Sequence, residues 1–169
     1  MTPLRAPPAA LAAALACIAL AAPAAAQVDL AAVAASDVAV ERGAPLTESG
    51  RDRLEAAAAD LRAAGTPSKF VILDVRPDRP LDEARSLRRR LGFPGEVLVL
   101  SANPRSLAIA SPLPSATVQG AYEARLPALR DDPVGGTIAI ARDLAARRAP
   151  GGSSAGAGGV PAAPAREDS

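Results

Sequence analysis

Two short runs, Lys69–Val75 (KFVILDV) and Glu96–Ser101 (EVLVLS), constrain this chain more than anything else in it. Neither alternates apolar with polar positions. A strand with one wet face alternates with a period of two, whereas a strand that is apolar throughout has to be covered on both faces. Between the runs, Leu81–Leu91 repeats Ala84, Leu87 and Leu91 at helical spacing, with Gly92 as its stop. Buried strands that alternate with helices predict a sheet with helices on both of its faces.

The flanking sequence extends this pattern. Asp37–Val40 is a short strand ended by Arg42-Gly43. Thr47 is placed to cap a helix whose apolar face is Leu54, Ala57, Ala58 and Leu61, closed by Gly65 and stopped by Pro67. Asn103-Pro104-Arg105 turns EVLVLS directly into Ser106–Ala110, a hairpin, so the sheet is not purely parallel. Ser115 is expected to cap a third helix carrying Val118, Tyr122 and Leu126, broken near Pro127. Gly136–Arg148 is read as a last helix with Ile138, Ala141 and Ala145 on one face. The expectation is one α/β domain over residues 37–149, a mixed β-sheet of about four strands in a three-layer α/β/α arrangement. Residues 27–36 are an Ala-rich lead-in, either a helical turn or a flexible arm. Residues 150–169, rich in Gly, Ala, Pro and Ser without periodicity, read as a disordered tail.

The amino terminus speaks to compartment. Arg5 precedes an apolar run from Ala9 to Ala22, and Ala24-Ala25-Ala26 offers a small-residue cleavage site before Gln27. That order reads as a secretory signal peptide over residues 1–26, giving an exported protein that is secreted, periplasmic or in the cell envelope. The alternative is a membrane-anchored protein in which Ala9–Ala26 stays uncleaved, since ~18 apolar residues just span a bilayer. A lipid-attachment role for Cys17 fits poorly, because the apolar run continues past it.

Cleavage also removes Cys17, the only cysteine, and the chain contains no histidine. Ser-His-Asp and Cys-His catalysis and zinc sites of His and Cys are thereby excluded. With Arg5 gone, the 19 basic residues of the full chain fall to match its 18 acidic ones. A neutral chain exerts no long-range attraction on nucleic acid or on an anionic membrane surface.

The order of motifs is similar to that of the TPM-domain family. The likeness runs through Val38-Ala39-Val40-Glu41, Leu46-Thr47, Arg53-Leu54-Glu55 and the strand FVILDV. It continues through Ala84, Leu91-Gly92, the strand GEVLVLS, SLAIA and a closing helix after Leu129, and so covers about Asp37–Arg148. The resemblance implies an exported or membrane-anchored domain, with relatives in the thylakoid lumen, some of them acid phosphatases or calcium binders. It also places Glu41 at the acidic position that follows the first strand in that family. The chain departs from the pattern in two places. Ser111-Pro112-Leu113-Pro114-Ser115 replaces a glycine-rich, often acidic loop, and Phe93-Pro94 replaces an acidic residue before the second apolar strand.

What remains for chemistry is carboxylate work with a hard cation such as calcium or magnesium. Ligands of open α/β sheets collect beyond the carboxyl ends of the strands. Glu41, Asp74 and Asp78 fall there as candidate metal ligands, beside Ser101 and Asn103. Asp74, a charge inside an apolar run, has to find a partner or reach the strand end: it belongs to a metal or phosphate site, or else it pairs with a nearby arginine or faces solvent. Arg85, Arg88 and Arg89 share a helix face opposite Ala84, Leu87 and Leu91. They form either an anion-binding patch or a solvated face whose charges follow the helix dipole. Pro112-Leu113-Pro114 is an apolar loop that could touch a partner or simply be stiff. Gly135-Gly136 lacks the spacing of a phosphate loop.

Three functional expectations follow. The first is a non-catalytic interaction or accessory module whose partner is an envelope protein. The second is a divalent-cation-dependent acid phosphatase-like hydrolase using Glu41 and Asp74. The third is an envelope protein held in the membrane by its amino-terminal segment.

Overall fold

A computed structural model describes residues 29–149. Along the chain these form α1 (Leu30–Ala35), β1 (Val38–Val40), α2 (Glu48–Ala63), β2 (Ser68–Val75) and α3 (Pro80–Arg90). There follow β3 (Glu96–Asn103), β4 (Arg105–Ala110), α4 (Ser115–Ala124), α5 (Leu126–Asp131) and α6 (Pro133–Arg148). The strands lie in the order β1-β2-β3-β4. The first three are parallel, and β4 runs antiparallel to β3. The α/β fold with a mixed four-stranded sheet is therefore the one expected, and the two apolar runs are its central strands.

Register sorts the strand side chains into two cores. Val38, Phe70, Leu98 and Ile109 lie in one row across the sheet, on the face covered by α2 and α6. Ala39, Val71, Val99 and Ala108 form the adjacent row, on the face covered by α1 and α3. The apolar residues of α2 (Leu54, Ala57, Ala58 and Leu61) are all buried in the first core, and Ala84 and Leu87 of α3 in the second. Thus β1-α2-β2 and β2-α3-β3 step across the sheet in the same direction but cross opposite faces, so the two crossovers are of opposite hand. Crossovers in parallel sheets are overwhelmingly right-handed, and one of these two is an exception.

Local chemistry sets the boundaries. Thr47 accepts the Gly50 N–H at 3.1 Å as the expected cap of α2. Ser115, by contrast, is the first residue of α4 and caps nothing; Pro114 precedes it with no side-chain bond. Pro127 does not simply end a helix. The chain turns at Arg125 and resumes as α5, with Pro127 in the first turn, where no N–H is needed. The last helix starts earlier than its apolar pattern suggests, because Asp132 accepts the Gly135 N–H at 2.9 Å and Pro133 opens the first turn. Gly136 lies so close to Leu129 that a Cβ would come within 2.7 Å of the Leu129 backbone. The lead-in is a short helix capped by Asp29. The leader assigned to 1–26 and the tail assigned to 150–169 lie outside the described residues. Among the described residues, no helix is long and apolar enough to cross a membrane.

Two charged side chains are buried among the aliphatics. The Lys69 ammonium donates to the carbonyls of Val33 and Ser36 at 2.8 and 2.7 Å, ties the carboxyl end of α1 to β2, and lies 3.5 Å from Asp37. Burial, with the Arg62 charge nearby, lowers its pKa. Phe93 presents its ring 5.4 Å from the same nitrogen. Glu96 is fully buried at the start of β3 and is met by Arg148, the last residue of α6, at 3.4 Å, and by Ser68 at 3.3 Å.

Removing one member of a buried ion pair leaves the other uncompensated, whereas removing both charges is far milder. Arg148→Met is therefore expected to lower unfolding free energy by about 2–3 kcal/mol, with Glu96→Gln/Arg148→Met recovering most of it in urea denaturation. The Arg53 hydrogen bond and the Gly135 N–H hold Asp132 below the usual carboxylate range. A depressed folded pKa contributes stability above the unfolded value that is lost as pH falls through about 4 and below. Asp132→Ala should cost about 1 kcal/mol at neutral pH and flatten that part of the acid-unfolding profile; an unchanged profile would remove Asp132 from the cap.

Candidate functional site

The carboxyl ends of β1, β2 and β3 bring two of the three expected ligands together. Glu41 follows β1, and its Oε2 accepts the backbone N–H of Asp74 at 2.9 Å. Asp74 is half-buried, and its Oδ1 accepts from the Asn103 side-chain amide at 3.0 Å. It thus pairs with neither an arginine nor bulk water alone. The Arg76 N–H closes the row by donating to the Asn103 carbonyl at 2.9 Å. Asp78 is exposed in the loop between β2 and α3, with no side-chain hydrogen bond or ion pair among the described residues. A hard cation such as calcium takes about six to eight converging oxygens. Among the described residues no three acidic side chains come together as such a group, and Glu41 and Asp74 each give an oxygen to the hydrogen bonds just described. The oxygens that do meet here lace neighbouring strand ends to one another.

Ser101, expected at the same edge, is fully buried and stands in register with Ser106 on the hairpin. Neither hydroxyl has a hydrogen-bond partner among the described residues.

A different place gathers chemistry. Among the described residues, strand β4 pairs with β3 on one side only and is an edge of the sheet. Its outer side opens into a cleft of about 560 Å³ between α3 and α4. Alternation along β4 divides the floor: Ala108 and Ala110 point to the α3 face, and Leu107 and Ile109 to the α4 face. The α3 wall carries Arg85, Arg88 and Arg89 together with Leu81, a large apolar side chain that is 41% exposed. The α4 wall carries Val118 and Tyr122, with Leu113 from the preceding loop. The three arginines are therefore not a face turned away from the fold; they rim an apolar cleft.

Their pairing is light. Arg88 spends its Nε–H on the Gly95 carbonyl at 2.9 Å. Arg85 reaches Asp82 only at 3.9 Å between exposed groups, a contact worth little. Arg89 has no ion pair among the described residues. Another cleft, about 530 Å³ between α2 and α6, is the opposite case. There Arg53 meets Asp132, Arg125 grips Asp143 through two bonds of 2.8 and 2.9 Å, and Arg142 meets Asp60. Its positive charge is already neutralised.

Of the residues that matter here, the arginines and Leu113 are visible in the sequence as separate signals. What joins them is the antiparallel hairpin, which places β4 at the sheet edge with a helix on either flank. Lys69 and Glu96 carry no sequence signal beyond their position at the start of an apolar run.

No known family's sequence profile matches the chain, and no curated protein matches it. Its fold is similar to two solution structures. One is the N-terminal domain of a protein from P. gingivalis, 21% identical, with a TM-score of 0.55, covering 68% of this chain and 85% of that one. The other is the N-terminal domain of a Corynebacterium glutamicum protein, 20% identical, with a TM-score of 0.52, covering 73% of this chain and 84% of that one. At this identity the likeness is one of fold, and it supports the α/β architecture.

Proposed function

We propose that this chain is an exported, TPM-like domain that acts as a non-catalytic interaction module at the cell envelope, and that the cleft along β4 is its binding site. The observation that carries this reading is an unpaired sheet edge with apolar and cationic side chains converging on it. Exposed apolar area beside under-neutralised charge is what a recognition surface needs: burial for affinity and charge for selectivity. The carboxylates at the strand ends support the same reading from the other side. Their hydrogen bonds to a backbone N–H and to the Asn103 amide explain them as structural ties. Export rests on the leader pattern of residues 1–26 and on the TPM resemblance.

Binding to the cleft is tested by selecting peptides from a displayed library on the full chain. Leu81→Glu keeps a good helix-forming residue on an exposed first turn, and Arg89→Glu reverses an exposed charge, so both variants should fold. Each should weaken the selected ligands about tenfold or more. Ligands that ignore both substitutions would sink the assignment of the site.

Ligands that bind only the native state raise its melting temperature by mass action. Millimolar calcium, magnesium or manganese should leave the melting temperature unchanged. A rise abolished by Asp74→Asn or Glu41→Gln would favour the cation-dependent hydrolase instead. Expressed with its own leader in a secreting host, the released protein should begin at Gln27 by mass spectrometry; full-length protein in the membrane fraction would favour the anchored form.

A further inference from the structure

The α3–α4 cleft constrains what can occupy it. A strand edge presents a row of outward N–H and C=O groups, and an added strand satisfies them. Strand β4 is 6 residues long and lies between two helices on opposite faces of the sheet. An added strand would continue the pleat, so its side chains would point alternately to the α3 wall and to the α4 wall. The two walls differ in kind. The α3 wall carries the cations, Arg85 and Arg89 with Arg88 behind them, beside Leu81; the α4 wall carries no charge and is mainly apolar, through Val118, Tyr122 and Leu113, with Ser115 and Gln119 among them. Resting on the interaction-module reading above, we propose that β4 takes up an extended protein segment as a fifth strand. Acidic side chains at every second position would meet the arginines, and apolar ones between them would meet α4.

Charge selects this occupant over a second copy of the chain. Two β4 strands paired antiparallel are related by a two-fold axis normal to the sheet, which puts both α3 helices on the same face, side by side. Arg85 and Arg89 of one copy would then approach those of the other, and among the described residues their one ion pair is the 3.9 Å contact of Arg85 with Asp82. The far edge of the sheet offers no alternative, because β1 is only 3 residues long.

The test uses a blocked synthetic peptide of about eight residues, long enough at ~3.3 Å per residue to span β4, alternating glutamate and valine. Its counterpart has lysine in place of glutamate. The glutamate peptide should bind the full chain, more weakly as salt rises, and slow hydrogen exchange at β4 amides. The lysine peptide should not bind, and Arg85→Glu/Arg89→Glu, both exposed, should lower affinity at least about tenfold while leaving the melting temperature intact. Methylating every second peptide nitrogen should abolish binding in one register and spare it in the other, because only alternate residues of a strand face its neighbour.

Each contrary result has a distinct meaning. If the peptide binds and shifts α3 and α4 resonances whichever nitrogens are methylated, strand addition is wrong, while the cleft remains the site. Equal binding of the lysine peptide overturns the acidic preference. If neither peptide binds while library ligands remain sensitive to Leu81→Glu, an acidic extended segment is not the ligand of this cleft. A concentration-dependent dimer with protected β4 amides would name a second copy as the occupant.

Discussion

Everything in this fold answers to the pairing of β2 with β3. Both strands are aliphatic on both faces along most of their length, so once they pair, neither side of the sheet can be left to water. Helix α2, with α6, closes one side, and α3, with α1, closes the other. Meeting that requirement with the strands in chain order is what forces crossovers of opposite hand. It also explains why alanine does so much of the packing. With few aromatic residues, the cores close by bringing backbones near one another. Gly95 is the extreme case, since a Cβ there would overlap the Pro67 carbonyl.

The sequence makes these central elements plain because periodicity and stop signals agree there. Thr47, the Leu54–Leu61 face and Gly65 all indicate the same helix, and the structure has it over Glu48–Ala63. Legibility falls where geometry depends on a distant residue. Asp132 begins α6 ahead of its apolar pattern, held by Arg53 from another helix. Ser115 looks like a cap, yet the tight Pro112–Pro114 segment delivers it already helical, and Ser111 takes the local role by accepting the Leu113 N–H. The site follows the same rule. Arg85, Arg88 and Arg89 are recognisable as a cluster, but an amphipathic pattern cannot say whether such a cluster looks at water or across a cleft. Only strand order decides that, by putting β4 at the rim.

The distribution of charge separates the α3–α4 and α2–α6 clefts more than their size does. Between α2 and α6 every arginine has a carboxylate, and those pairs fasten helices together. Beside β4 the arginines are anchored by a carbonyl, by a weak local contact or by nothing among the described residues. The two edges of the sheet differ in the same sense. One is too short to template another strand, and the other is long enough and flanked by charges that discourage its own kind. A small domain thus presents an open edge while limiting indiscriminate self-association.

The pairing of Glu96 with Arg148 bears on the timing of synthesis. A strand at the centre of the sheet begins with a fully buried carboxylate whose cationic partner follows 52 residues later, at the end of the last helix. While the chain is still emerging, β3 can close its neighbours only by enclosing that carboxylate without its counter-charge, at a substantial free-energy cost. Until α6 is complete, the emerging chain lacks the contact that offsets this carboxylate, so the last turn of the last helix adds its stabilisation to a strand made 52 residues earlier.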